Sequence, residues 1–301
     1  MDDIVWYLNI GEKMIITRIS GGLGNQMFQY AIAKSMAKKN DDIFKLDISF
    51  YPKQILRKYE LNYFNIEENI ATEKECIELR GKEAFFFKMK RKLGFKIKRP
   101  SLYIFENNIA TFDKDVWDKS EDIYLDGFWQ NEKYFEMIRD ELLKEFTLKV
   151  DISNEAKKYL KSIKKENSIS LHVRRGDYVQ NTHTNSVHGA CGLEYYKSAI
   201  EYISKKTTIP IFYIFSDDIP WCKENFDFID DIVFVDDTKT AFDDLELMKN
   251  CKHNIIANST FSWWGAWLNK YDKKIIIAPK VWFIDEKWKN LSIALNDWIK
   301  I

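Results

Sequence analysis

Ile15-Ile-Thr-Arg-Ile19 is a short apolar run, and Ser20-Gly-Gly-Leu-Gly-Asn25 breaks it at once. Behind the break, Gln26 to Lys38 carries Met27, Tyr30, Ala31 and Met36 at helical spacing. A buried strand, a glycine turn and a helix form the opening unit of an α/β fold. Further along, Ile123-Tyr-Leu-Asp-Gly-Phe-Trp129 reads as another strand, with a helix expected from about Glu132 to Phe146. Residues 150–167 are polar and Lys-rich, and hold a helix followed by a turn around Lys165-Glu-Asn167. The domain boundary is expected near there, giving halves 1–160 and 161–301. Beyond it, strands at 168–173, 210–215, 232–235, 254–257 and 274–278 alternate with helices at 193–205, 242–250 and 262–269. The tail reads as a last helix that packs back on the first half. Such alternation implies parallel sheet covered on both faces. Ligands of such sheets sit at the carboxyl ends of the strands.

A length of 301 residues favours two domains or one large one. Hydrophobic residues make up 46% and aromatics 15%, which supplies a core and excludes a disordered chain or a small disulfide scaffold. Lys plus Arg and Asp plus Glu both number 46, so no global charge argues for nucleic acid. Cys76, Cys191, Cys222 and Cys251 show no CxxC spacing, and the four histidines form no zinc pattern. They read as reduced thiols of a cytoplasmic protein. No run of 18 apolar residues predicts a membrane span. The Met-Asp-Asp start lacks the basic region of a signal peptide, and residues 1–13 have no assigned place in the fold.

The strand ends carry the unusual stretches. At Ser20–Gln26, glycines before a helix let a ligand approach the backbone at Gly22, Gly24, Asn25 and Gln26; a plain tight turn is the alternative. Neither a dinucleotide fingerprint nor a P-loop is present. At His172-Val-Arg-Arg-Gly-Asp177-Tyr178, two arginines stand side by side in a Lys-rich chain. A guanidinium fork matches a diphosphate, so Arg174 and Arg175 are candidates, with His172 beside them and Asp177 as a possible holder of one arginine. Asn258-Ser259-Thr260-Phe261-Ser262-Trp-Trp264 packs three hydroxyls into four positions at a helix start. One hydroxyl caps a helix; the set suggests phosphate binding. The tryptophans read as core. Asp217 and Asp218 follow another strand and suit sugar or base N–H and O–H groups, or the capping of the next helix. Asp113-Lys-Asp115 has the DxD form of a cation site but stands at a helix start, so it reads as capping.

Taken in order, these stretches resemble glycosyltransferase family 11, the α-1,2-fucosyltransferases. The segments 20–31, 172–178 and 258–264 are similar to its motifs, and Gly127–Phe135 and the Cys191/Tyr195–Tyr196 region fit as well. The resemblance implies a GT-B fold, with an acceptor-side half 1–160 and a GDP-sugar half 161–301 facing a cleft. It implies GDP-β-L-fucose as donor substrate, inversion at the anomeric carbon, a galactose-terminated acceptor, no separate cofactor and no required metal. Arg174 is expected to stabilise the leaving β-phosphate, helped by Ser259, Thr260, Phe261 and Ser262. His172 would orient the phosphate or base, and Asp244 with Asp217 and Asp218 would contact guanine or ribose. Asn25 would approach the fucose or the acceptor hydroxyl. Asp177 has the chemistry of a general base, but the residues single out no base.

Two further expectations concern partners. Phe85-Phe-Phe followed by a Lys/Arg-rich run to Arg99 suits an anionic bilayer, consistent with a lipid-linked acceptor at the inner membrane face; a solvated basic face is the alternative. Another GDP-fucose transferase (α-1,6 or protein O-fucosyl) and a non-catalytic glycan-binding protein are the competing functions.

Overall fold

The computed structural model describes residues 13–55, 57–81, 100–176 and 182–301. The basic stretch Phe85–Arg99 and Asp177 lie outside the described residues, so the expectations placed on them stay expectations.

The first half holds β1 (Met14–Arg18), α1 (Leu23–Asn40), β2 (Ile43–Asp47), α2 (Glu73–Arg80), β3 (Tyr103–Phe105), α3 (Lys114–Trp117), β4 (Ile123–Asp126) and α4 (Arg139–Glu145). The second holds α5 (Asn154–Ile163), β5 (Asn167–Val173), α6 (Thr182–His188), α7 (Leu193–Ser204), β6 (Pro210–Ser216) and α8 (Ile219–Asn225). It continues with β7 (Ile232–Phe234), α9 (Ala241–Asn250), β8 (His253–Ile255), α10 (Thr260–Trp267), β9 (Ile276–Ala278) and β10 (Ile299–Lys300). Two sheets result, in the orders β2-β1-β4-β3 and β10-β9-β8-β5-β6-β7. Among the described residues every strand pairs parallel to its neighbours, with Ile15 opposite both Phe44 and Ile123, and Leu171 opposite both Ile214 and Ile255. The central strand β5 is buried along six successive residues, as a strand covered on both faces must be.

Departures from the sequence reading have local causes. The polar stretch 40–80 contains β2, where only Phe44, Leu46 and Asp47 are buried, and α2, which opens on a Thr72–Glu75 capping box. The helix expected from Glu132 to Phe146 is broken. Two short 3-10 turns, Glu132–Tyr134 and Glu136–Ile138, precede α4. Between them Phe135 leaves helical backbone values (φ −145°, ψ 9°). Its ring lies against Trp264 at 5.4 Å, nearly parallel. The expected C-terminal helix is instead the edge strand β10, paired with β9. The tail nevertheless reaches the core, because Trp263 Nε1 donates to the Ile293 carbonyl at 2.7 Å and Trp298 packs 5.5 Å from Trp263.

One apolar cluster runs through both halves. It joins Ile15, Phe28, Leu46 and Leu125 to Trp263, Trp264, Trp267 and Trp282. Helix α1 is buried along most of its length because β1 and β2 cover one side and α10 the other. The tryptophans of α10 are therefore core residues.

Candidate active site

The carboxyl ends of β1, β5, β6 and β8 converge on one cleft of about 620 Å³, lined from both halves. Gly22, Gly24, Asn25, Arg57, Glu60, Ile109, Phe128 and Gln130 form one wall. His172, Arg174, Asp217, the segment 238–241, Asp244 and Asn258–Phe261 form the other.

The glycine turn is built by two buried glutamines one helical turn apart. Gln29 accepts the Ser20 N–H at 2.9 Å and donates to the Gly127 carbonyl at 2.9 Å. Gln26 accepts the Glu60 N–H at 2.9 Å and donates to the carbonyls of Lys58 and Gly21 at 2.8 and 3.1 Å. Gln26 is fully buried, so its place is behind the cleft wall rather than on an acceptor. Gly21 has φ +79°, a left-handed value that favours glycine. Gly24 is required for a different reason. A Cβ there would stand 2.6 Å from the Phe261 nitrogen and from the Thr260 carbonyl carbon. The turn thus touches the start of α10, and Trp264 Nε1 donates to the Gly24 carbonyl at 3.0 Å. Asn25 joins three parts of the cleft: its Oδ1 accepts from Gln130 Nε2 at 3.1 Å and from Thr260 Oγ1 at 3.0 Å.

The two arginines after β5 part company. Arg174 lines the cleft, and its Nη1 lies 2.8 Å from Asp217 Oδ2. Arg175 turns away. Its Nε reaches Asp218 at 3.2 Å and its guanidinium stacks 3.8 Å over Trp221, outside the lining residues of the cleft. Asp218 caps α8 by accepting the Trp221 N–H at 3.3 Å, and is likewise not a lining residue. Arg175 and Asp218 therefore hold the loop, and Arg174 and Asp217 face the ligand space. Burial raises the Asp217 carboxyl, but the Arg174 charge and the N–H groups of Arg175 and Gly176 outweigh it and hold the carboxyl below its ordinary range.

His172 is nearly enclosed at the cleft floor. Burial and the neighbouring Arg174 charge push its pKa well below the usual histidine value, so the ring is neutral. Ser262 fixes it through a 2.9 Å contact to Nδ1. Ser262 is itself buried and outside the cleft lining, so it orients His172 rather than a phosphate. Ser259 caps α10 by accepting the Phe261 N–H at 3.3 Å. Ser259, Thr260 and Phe261 remain on the cleft wall. Asn258 sits beneath them, its Nδ2 within 3.0–3.2 Å of the carbonyls of His188, Gly189 and Trp282.

Asp244 also lines the cleft. Burial pushes its pKa up to about 6, against the Thr238 hydroxyl, which donates at 2.6 Å. Asp113 accepts the N–H groups of Asp115 and Val116, which is the capping expected of the DxD stretch. Among the described residues no group of three His, Cys, Asp or Glu side chains is placed to hold a metal. The thiols of Cys76, Cys191, Cys222 and Cys251 are unpaired.

Arg57, Glu60 and Gln130 were not singled out from sequence. Gln130 lies inside the Gly127–Phe135 motif, which was a usable signal. Arg57 and Glu60 come from an irregular stretch and are brought in by the Gln26 clamp.

A glycosyl transferase family 11 model matches residues 14–301. An Escherichia coli alpha-1,2-colitosyltransferase is 36% identical over 300 residues, covering 96% of this chain and 99% of its own length. The Escherichia coli O-antigen biosynthesis glycosyltransferase WbnK is 34% identical over 308 residues, 94% of this chain and 99% of its own. Among solved structures, fucosyltransferase NodZ from Bradyrhizobium superposes with a TM-score of 0.50 at 14% identity, over 85% of this chain and 93% of that one. The last likeness is one of fold, the GT-B arrangement of two α/β halves about a cleft.

Proposed function

The chain belongs to glycosyl transferase family 11, and from that membership we propose that the cleft transfers a sugar from a GDP-sugar to the 2-OH of a terminal galactose. It is a glycosyltransferase of the α-1,2-linking kind. L-fucose from GDP-β-L-fucose is the donor we assign, transferred with inversion; the name of the colitosyl relative makes GDP-colitose the donor to compare. The observation that carries the reading is Arg174, held by Asp217 on the cleft wall that the start of α10 also forms.

Negative charge grows on the β-phosphate as the C1–O bond breaks. Arg174 supplies a fixed positive group for it, and the amide ends of an eight-residue helix supply further donors. Arg174 and helix dipole together offer the compensation that transferases with a DxD site take from a cation. Neutral His172, on the cleft floor beside Arg174, adds no competing charge. Asp244, Thr238 and Thr240 give the acceptor and hydroxyl groups that a guanine or ribose requires. On the opposite wall, Phe128 presents an apolar ring and Asn25 and Gln130 present amides, which together suit one face and the hydroxyls of a hexose.

Among the described residues no helix is long and apolar enough to cross a membrane. WbnK is named for O-antigen biosynthesis. By analogy we assign a lipid-linked, galactose-terminated oligosaccharide acceptor at the cytoplasmic face, with Phe85–Arg99 as the membrane-facing stretch. Co-sedimentation with anionic vesicles that persists after its lysines are neutralised would reject that contact.

The transfer itself is tested by GDP release from GDP-fucose with and without lactose, in excess EDTA, with the linkage read by NMR. Lactose-dependent release and an α-1,2 product are expected, with GDP-colitose run as competitor. Tight GDP binding without turnover would move the question to the acceptor. Neither binding nor turnover would return the chain to the glycan-binding reading.

A further inference from the structure

The transfer proposed above leaves one proton unplaced. When the acceptor oxygen bonds to C1, the C1–O bond to the β-phosphate breaks and its electron pair leaves with GDP toward Arg174. The acceptor hydroxyl must then lose its proton to a group on the wall facing the donor. Among the described residues, three carboxylates line the cleft: Glu60, Asp217 and Asp244. Asp217 is engaged by Arg174 and by the Arg175 N–H at 2.9 Å. Asp244 accepts the Thr238 hydroxyl on the nucleotide side. Glu60 alone of the three belongs to the first half, on the wall that carries Asn25, Gln130 and Phe128.

Its position is built. The buried amide of Gln26 accepts the Glu60 N–H and donates to the carbonyls of Lys58 and Gly21, so the 58–60 segment and the glycine turn move as one piece. Tyr51 strengthens the turn by donating to the Gly21 carbonyl at 3.1 Å. The clamp uses the Glu60 backbone, which leaves the carboxylate to the cleft. We propose that Glu60 is the general base that takes the proton from the attacking galactose hydroxyl. The proton passes from the acceptor oxygen to a Glu60 carboxylate oxygen as the new glycosidic bond forms, and then to solvent. This rests on the α-1,2-transfer reading.

The surroundings suit the task. Burial raises the Glu60 pKa, and the charges of Arg57 and Lys58 work against that rise without cancelling it. Tyr51 also faces the carboxylate, which adds to the rise of its own pKa. Across the cleft stand Arg174 with Asp217, and Lys239 with Asp244. A carboxylate raised this way is a stronger base than an exposed one.

The test uses the full chain with GDP-fucose and lactose. Glu60→Gln preserves shape and the backbone clamp, so GDP affinity and melting temperature should stay near wild type. Its kcat should fall about 10²–10³-fold. Wild-type kcat, read at saturating GDP-fucose, should decline as pH drops through the Glu60 pKa, and that acid limb should vanish in Glu60→Gln. Turnover within threefold of wild type, or an unchanged acid limb, overturns the assignment. Should Glu60→Gln fail to fold, Glu60→Asp decides: a drop of about tenfold with the limb retained supports the base, and undiminished turnover removes it. A wild-type chain that binds GDP but forms no α-1,2 product from any galactoside overturns the parent reading and the base together. Product formed equally by wild type and Glu60→Gln overturns the base alone.

Discussion

At the residue scale, neighbouring side chains of one type have been given different tasks by the strand end that carries them. Arg174 faces the cleft and Arg175 stacks on Trp221. Arg174→Ala should therefore remove about 10²–10³ in kcat with little change in melting temperature, because it withdraws charge stabilisation made at the leaving phosphate. Arg174→Lys should recover only part of this, since an ammonium cannot make the forked contact. Arg175→Ala should do the reverse, lowering stability through lost packing and leaving a measurable rate. Kinetics and thermal melts of the three variants separate the roles. Asp244 gives a prediction of opposite signs. A carboxyl whose pKa is raised to about 6 binds a proton in the folded chain that the unfolded chain has already released. Its contribution to stability thus falls as pH rises from about 4 to 6 and stays unfavourable above. Asp244→Asn should melt higher than wild type at pH 7, by an amount up to roughly 3 kcal/mol. The same change should weaken GDP binding at least tenfold, and wild-type GDP affinity should drop as pH falls below about 6. Titration calorimetry at two pH values reads both effects.

At the element scale, the glycine turn and the start of α10 are one unit, although 235 residues separate Asn25 from Thr260. Gly24→Ala places a Cβ against backbone atoms of Thr260 and Phe261, which no side-chain rotation can relieve. Overpacking of this kind costs about 1–3 kcal/mol. The helix start must shift away from Asn25, so turnover should fall more than tenfold while the secondary structure by circular dichroism is kept. Gly22→Ala, which meets only the flexible Arg57 side chain at 3.5 Å, should be tolerated far better. The strand–turn–helix unit, the alternation after residue 160 and the cleft position of Arg174, Asn25 and Thr260 were legible because period and punctuation are local. The turn's true reason was not, because the partner of Gly24 is far along the chain. The same holds for Gln26 and Ser262, which look like ligand groups in sequence and are buried behind the wall. The broken 132–146 helix was illegible too, since Phe135 leaves helical backbone where its ring meets Trp264.

At the scale of the whole molecule, the sequence reading of two halves meets a core that does not divide at residue 160. Phe28 lies 4.7 Å from Trp263 and 5.0 Å from Trp264, and Phe135 completes the group from the first half. Trp263 and Trp264 are fully buried there, so separating the halves would expose several large rings at once. At about 2–3 kcal/mol for each large ring, that exposure is comparable with the roughly 5–15 kcal/mol that stabilises a whole domain. Heat should therefore unfold the chain in one transition, with matching midpoints for tryptophan fluorescence and far-ultraviolet circular dichroism. A fragment ending at residue 160 should not fold, because its half of the cluster would lie open to water. Trp264→Ala should cost about 3–5 kcal/mol and keep the single transition. GDP at a hundredfold excess over its dissociation constant should raise the stability of the entire chain by about 2.7 kcal/mol, although the nucleotide touches mainly the second half. Two resolved transitions, with GDP moving only one of them, would show instead that the halves unfold independently and that the shared aromatic cluster contributes little to joining them.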